Sequence, residues 1–277
     1  MADAQVETGF ATVNGAKLYY EIAGAGRPLV LLHAGLADSR MWDDQFSVFA
    51  RQRRVVRYDL RGFGKSDLPA EPYAHSADLY GLLQALGIQQ AALMGVSLGG
   101  STILDFALQR PQMVEALIPV ASGLSGYQED DAPANAELEK AYAEVEAAMA
   151  AGDIAKAAEG ITRIWTDGPN RAPDQVNSKV RERVKALTTA WLSRPKPRPE
   201  PKTVDLKPPA LTRLKEIQAP TLIIAGDQDV LDILVIADLL QKHIPRAETL
   251  VIPGAAHMVT MEQPEEVNRA VLRFLQQ

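Results

Sequence analysis

Short apolar runs of strand length alternate along this chain with longer stretches in which apolar residues recur every three or four positions. Residues 8–13 and 17–23 flank Asn14-Gly15, a dipeptide suited to the tight turn of an antiparallel hairpin. Nearly continuous apolar runs follow at Leu29–Leu32, Val55–Tyr58, Ala91–Val96, Ala116–Ala121, Thr221–Ala225 and Thr249–Ile252. Such runs suit strands buried on both faces, as parallel strands covered by helices must be. Between most of them lie amphipathic stretches: Arg40–Phe49, Ser76–Leu86, Leu98–Gln109, Leu231–Lys242 and Pro264–Leu275. Pro264 followed by Glu265 and Glu266 makes a good helix start, because proline tolerates the first turn and acids favour its positive end. A hairpin followed by alternating strands and helices predicts an α/β fold. Its eight-stranded sheet is mostly parallel, with antiparallel strands at its beginning.

One interval breaks this rhythm. From about Leu124 to Leu214 no strand is apparent, and three apolar stripes take its place. They are Leu138, Tyr142, Val145 and Met149; Ile154, Ala157, Ile161 and Ile164; and Val180, Val184, Leu187 and Trp191. Each stripe predicts a helix with one buried face. The run from Pro195 to Pro201, with proline at every second position, cannot be helix or central strand and predicts an extended return to the sheet. The expected division is a core of residues 1–123 and 215–277, with a helical lid, 124–214, inserted after the sixth strand.

Composition narrows the function classes. The chain has 277 residues, 47% hydrophobic and 23% charged, an ordinary globular balance for one large core with an accessory layer. Net charge is −6 and no basic cluster stands out beyond Arg51, Arg53 and Arg54, which read as a solvated loop before a strand. Nothing electrostatic argues for nucleic acid. The absence of cysteine removes disulfides, thiolate metal sites and thiol nucleophiles. No uninterrupted apolar run reaches the roughly 18 residues of a membrane span. Residues 1–10 lack the basic-then-apolar pattern of a secretory leader, so a cytoplasmic protein without membrane association is expected. Oligomeric state is left open.

The candidate chemistry centres on Gly95-Val96-Ser97-Leu98-Gly99, a Gly-x-Ser-x-Gly placed between an apolar strand and a helical stretch. A sharp strand-to-helix turn would lift the Ser97 hydroxyl clear of the sheet. It would also crowd its flanks so that only glycine fits. The helix that follows aims free N–H groups at a developing oxyanion. A serine needs a base, and the histidines are His33, His75, His243 and His257. His257 lies just beyond the last strand, where parallel sheets place their chemistry. His243 reads as a helix C-terminal residue, His75 as a surface loop residue, and His33 as a ring hydrogen-bonded beneath its loop. The base needs a carboxylate to orient it, and Asp227, Asp229 and Asp232 all follow the strand Thr221–Ala225. The chain order Ser, Asp, His is the hydrolase order. Gly35, closing Leu31-Leu32-His33-Ala34-Gly35, would offer an N–H paired with that of Leu98 to the oxyanion.

With these residues in place, the chain resembles the α/β-hydrolase superfamily over nearly its whole length. Tyr58-Asp59-Leu60-Arg61-Gly62-Phe63-Gly64-Lys65-Ser66 is similar to the family's glycine-rich loop after the fourth strand, and Trp42 falls where a tryptophan is frequent. Ala34 stands where the family usually has glycine in its oxyanion loop, a departure that touches backbone geometry. The resemblance implies Asp229 as the triad acid, three residues after Gly226, leaving Asp227 as a loop residue and Asp232 at a helix start. It implies ester or lactone hydrolysis of a small molecule through an acyl-enzyme, without cofactor or metal. Among subfamilies it points to lid-bearing esterases, enol-lactone hydrolases and cofactor-free haloperoxidases. Dehalogenase and epoxide-hydrolase relatives use aspartate where this chain has Ser97. Trp165 and Trp191 are candidate pocket residues, as are Met258 and Val259 beside the histidine. The alternatives are perhydrolysis, lyase or oxygenase chemistry on the same scaffold, or a non-catalytic small-molecule binder.

Overall fold

The computed structural model describes residues 5–128, 136–195 and 201–277, so most of the predicted proline-rich return, 196–200, lies outside the described residues. Eight strands form one sheet: β1 (Glu7–Val13), β2 (Ala16–Ala23), β3 (Pro28–Leu32), β4 (Arg54–Tyr58), β5 (Ala91–Val96), β6 (Val114–Val120), β7 (Thr221–Gly226) and β8 (Ala247–Ile252). Their order across the sheet is β1-β2-β4-β3-β5-β6-β7-β8. The β1–β2 and β2–β4 pairs are antiparallel and every other pair is parallel. The hairpin turn is the one its dipeptide demands, since Asn14 and Gly15 both have positive φ, 47° and 78°.

Helices α1 (Asp43–Ala50), α2 (His75–Ala85), α3 (Leu98–Gln109), α7 (Leu231–His243) and α9 (Pro264–Phe274) alternate with the strands, and a four-residue α8 (Val259–Glu262) precedes α9. Alternate residues of the inner strands feed two separate cores. Leu29, Leu31, Val55, Met94 and Val96 belong to one, with Trp42 and Phe49. Val30, Leu32, Val56, Tyr58 and Leu93 belong to the other, with Leu79 and Phe106. Burial on both faces is what a continuous apolar run requires.

Between β6 and β7 the three stripes form α4 (Ala136–Ala150), α5 (Ile154–Thr162) and α6 (Ser178–Leu192). The second stripe runs past the end of α5 into a π-helical turn, Arg163–Asp167, in which Ile164 is buried. Period analysis cannot anticipate a widened turn, because Ile164 keeps the i+3 spacing of an ordinary helix.

Three expectations need correction. β8 is an edge strand with Glu248, Thr249 and Val251 exposed, so its apolar run is covered on one face only. Arg53 is buried, pairs with Glu115 at 2.8 Å and donates to the Leu275 carbonyl, because β4 starts beside the end of α9. His75 is the first residue of α2 and is only 8% exposed, set among Phe63 and Tyr73 rather than in a surface loop. Burial, then the nearby His33 and Arg61, pushes its pKa from 6.5 down to about 4.

Candidate active site

The strand order reverses at β3, whose neighbours are β4 on one side and β5 on the other. Such a switch point leaves a crevice beyond the carboxyl ends of the strands. Leu32 is in register with Gly95, so the His33–Gly35 loop and the Val96–Leu98 turn emerge side by side.

Ser97 occupies the turn between β5 and α3 with φ 54° and ψ −111°, a strained conformation for a side-chain-bearing residue. The glycines show why that turn is so tight. A Cβ on Gly95 would lie 2.3 Å from the backbone carbon and oxygen of Gly99, and one on Gly99 would lie 2.4 Å from the Leu32 carbonyl oxygen. Ser97 is tied down through its own backbone: its N–H donates to Val120 O, and its carbonyl accepts from Ser101 and Gly123 N–H. Leu98 opens α3, where first-turn N–H groups have no carbonyl within the helix.

The neighbouring loop is braced from below. His33 Nε2 accepts from Leu60 N–H at 2.9 Å, so the ring proton sits on Nδ1 and donates to Ala34 O at 2.8 Å. The same carbonyl accepts from Ala37 N–H, closing the turn over Gly35. Burial holds the His33 pKa below its usual value, consistent with a neutral structural ring. Ala34 has no positive φ, so alanine in place of the family's glycine is conformationally unstrained. Gly35 would carry a Cβ 3.5 Å from Leu98 Cβ, an ordinary contact. The space beside Leu98 therefore does not require glycine.

The carboxylate assignment separates the three aspartates by partner. Asp229, 2% exposed, accepts from His257 Nδ1 at 2.9 Å through Oδ2 and from Val230 N–H at 2.8 Å through Oδ1. That bond fixes the imidazole proton on Nδ1 and leaves Nε2 with the lone pair a base requires. Asp227 is exposed and accepts from Gly254 N–H at 2.7 Å, stitching the acid loop to the histidine loop. Asp232 lies in the first turn of α7 and accepts from the Tyr127 hydroxyl at 3.1 Å. Gly226 makes the approach of the two loops sterically feasible, since a Cβ there would fall 2.2 Å from Ala255 O.

Of the candidate pocket residues, Trp165 lies against the imidazole of His257, ring centroids 4.3 Å apart and tilted by 48°. Trp191 does not join it. It stacks on Phe63 at 6.0 Å and lines a cleft with Ala37, Arg40 and Lys65. Met258 and Val259 are fully buried in the core that also holds Ala34 and Trp42. The sequence reading missed Arg171, Asp167 and Glu262. Burial pushes the Glu262 carboxyl above the usual range, while Arg171 and the Ala256 N–H pull the other way. Only an acid and a base far apart in sequence would have hinted at them. Among the described residues no cluster of histidine and carboxylate side chains is arranged to hold a metal ion. No helix among them is long and apolar enough to cross a membrane.

A strained serine turn after β5 and a buried His257–Asp229 pair in the loops after β8 and β7 thus lie at the carboxyl ends of strands in one mostly parallel sheet, the arrangement of the α/β-hydrolase class. Residues 27–264 match the family described as alpha/beta hydrolase fold, and the chain belongs to that family. It is 29% identical to 3-oxoadipate enol-lactonase 2 of Acinetobacter baylyi over 94% of this chain and 93% of that protein. It is 27% identical to carboxylesterase YbfK of Bacillus subtilis over 89% of this chain and 79% of that one. Among solved structures, Est816, described as an N-acyl homoserine lactone degrading enzyme, superposes with a TM-score of 0.75 at 27% identity, covering 96% of this chain and all of that one.

Proposed function

We propose that this protein hydrolyses a carboxylic ester or lactone of a small molecule through an acyl-enzyme on Ser97. The observation that carries this reading is the buried His257–Asp229 hydrogen bond of 2.9 Å, at the carboxyl end of the same sheet whose β5 leads into the strained turn at Ser97. The relatives named for lactone and ester cleavage support the bond class. In the reaction, Nε2 of His257 takes the Ser97 proton as the hydroxyl oxygen attacks the carbonyl carbon. Asp229 stabilises the imidazolium that forms, without accepting its proton. The N–H groups of Leu98 and Gly35 receive the oxyanion. Each such donor contributes on the order of 3 kcal/mol to the transition state. The imidazolium then returns its proton to the departing alkoxide. Water, deprotonated by the same nitrogen, releases the acid and regenerates Ser97.

Helices α4 to α6 act as the lid over this site, with Trp165 shielding one face of the imidazole from water. The test is hydrolysis of p-nitrophenyl acetate and butyrate by the wild type, Ser97→Ala, Asp229→Asn and Asp227→Asn. Ser97→Ala should abolish turnover, and Asp229→Asn should lower kcat far more than Asp227→Asn. Equal release by Ser97→Ala and wild type would overturn Ser97 as the nucleophile.

A further inference from the structure

The lid and the histidine loop meet through a set of contacts outside the triad. Arg171 follows the π-helical turn and spends all three guanidinium nitrogens there. Nε donates to Asp167 O at 2.7 Å, Nη2 to Thr166 O at 2.6 Å and Nη1 to Gly254 O at 2.5 Å. The first two acceptors belong to the lid, and the third lies three residues before His257. Nη1 also pairs with Glu262 Oε2 at 2.8 Å, with the two side chains only 10% and 6% exposed. The other oxygen of Glu262 accepts from Ala256 N–H at 2.8 Å, the amide immediately before His257.

The lid end of this chain of contacts is itself anchored. Asp167, fully buried, accepts from Arg163 and Arg181 at 2.7 Å each, and Arg163 also donates to the Arg171 carbonyl at 3.0 Å. Gly168, with φ 74°, lets the turn close on the acid loop, since a Cβ there would lie 2.1 Å from Gln228 O. The π turn thus has a reason to exist. Widening the helix by one residue re-aims the side chains that follow, and here it puts Trp165 on the imidazole while Asp167 points into the arginine pair. A buried pair with nearly every donor and acceptor satisfied resists displacement, whereas removing one partner strands the other.

We propose that Arg171 and Glu262 are positioning residues that fasten the lid's π turn to the His257 loop, so that the base and its Trp165 cover are held as one unit. The proposal rests on His257 being the base. Neither residue touches the reacting atoms. Their work is to keep Ala256 and Gly254 in place on either side of Ala255, and through them the His257 imidazole.

The test is steady-state hydrolysis of p-nitrophenyl acetate by Arg171→Gln, Glu262→Gln, the double variant, Arg171→Lys and Ser97→Ala. Because the acetyl group is too small to depend on lid contacts for binding, each single clamp variant should lower kcat about tenfold with KM changed less than about twofold. The double variant should be no worse than the weaker-performing single, since both substitutions break one connected unit. Arg171→Lys, which keeps the charge but not the fork, should recover part of the loss and covers the case in which Arg171→Gln fails to fold. Losses that multiply in the double variant would overturn the clamp, as would single variants whose kcat stays within twofold of wild type. If the clamp variants are unimpaired while Ser97→Ala is inactive, the clamp fails and the triad stands. If Ser97→Ala keeps wild-type turnover, the triad itself fails and the clamp has no base to position.

Discussion

The serine side of the site is held by backbone and the histidine side by side chains. At Ser97 the restraints are three main-chain hydrogen bonds and the glycines whose missing Cβ atoms let β5, α3 and β3 touch. At His257 they are the Asp229 carboxylate, the Trp165 ring and the Arg171–Glu262 pair, drawn from β7's loop, the lid and α8. A backbone-built feature leaves a local pattern, small residues at set spacings. A side-chain-built one needs partners from distant segments, and its residues look ordinary in sequence. The Ser97 side therefore depends on residues close in sequence, and the His257 side on side chains drawn from several distant segments.

Substitutions can break this contrast in order of size. Ser97→Gly should reduce kcat at least about 10⁴-fold while stabilising the fold by about 1 kcal/mol, because glycine accepts the turn's φ without strain. Paired activity and urea melts check both signs. Gly95→Ala should cost more than about 3 kcal/mol, since its methyl would meet helix backbone that cannot swing aside. A variant that melts like wild type would show the elbow to be looser than drawn.

His75 supplies an acid-lability test outside both halves. Its folded pKa of about 4 lies below the ordinary 6.5, so between those values the unfolded chain binds a proton that the folded one does not. Stability should fall by about 3 kcal/mol as pH drops from 6.5 to 4, at 1.36 kcal/mol per pKa unit. His75→Phe should flatten that part of the curve, measured by denaturant melts across the range. Trp165→Ala should lower kcat about tenfold with little loss of stability, as its ring is only partly buried. Gly35→Ala is the mildest. Its methyl meets Leu98 at an ordinary distance, so the Tm should move by only about 1 °C while KM rises.

Much of the architecture was legible because parallel strands must be apolar on both faces, which sets them apart from helices of period 3.6. β8 misled for the same reason, since an edge strand keeps an apolar run for one face alone. The tight turn at Ser97 was legible from Gly-x-Ser-x-Gly, and the placing of the His33–Gly35 and His257 loops from their positions at strand ends. Local pattern left the three aspartates alike, because each also suits a turn or helix start; the family resemblance pointed to Asp229, and in the structure Asp229 is the one that bonds His257. His75 was misread because its burial depends on Phe63 folding back from the loop after β4, and Tyr73, two residues away, reads equally well as an exposed loop residue. The Arg171–Glu262 pair was invisible because its members are far apart in sequence, and the π turn because Ile164 keeps ordinary helical spacing. Trp191 was named with Trp165 on equal terms, yet only contact with His257 tells them apart.

The most direct test is to trap the covalent intermediate. Wild-type protein mixed with p-nitrophenyl acetate and quenched in acid within the first turnover should carry one added acetyl group. Peptide mass analysis should place it on Ser97. Continued ester hydrolysis with no acetylated protein, or with the acetyl group on another residue, would contradict the account.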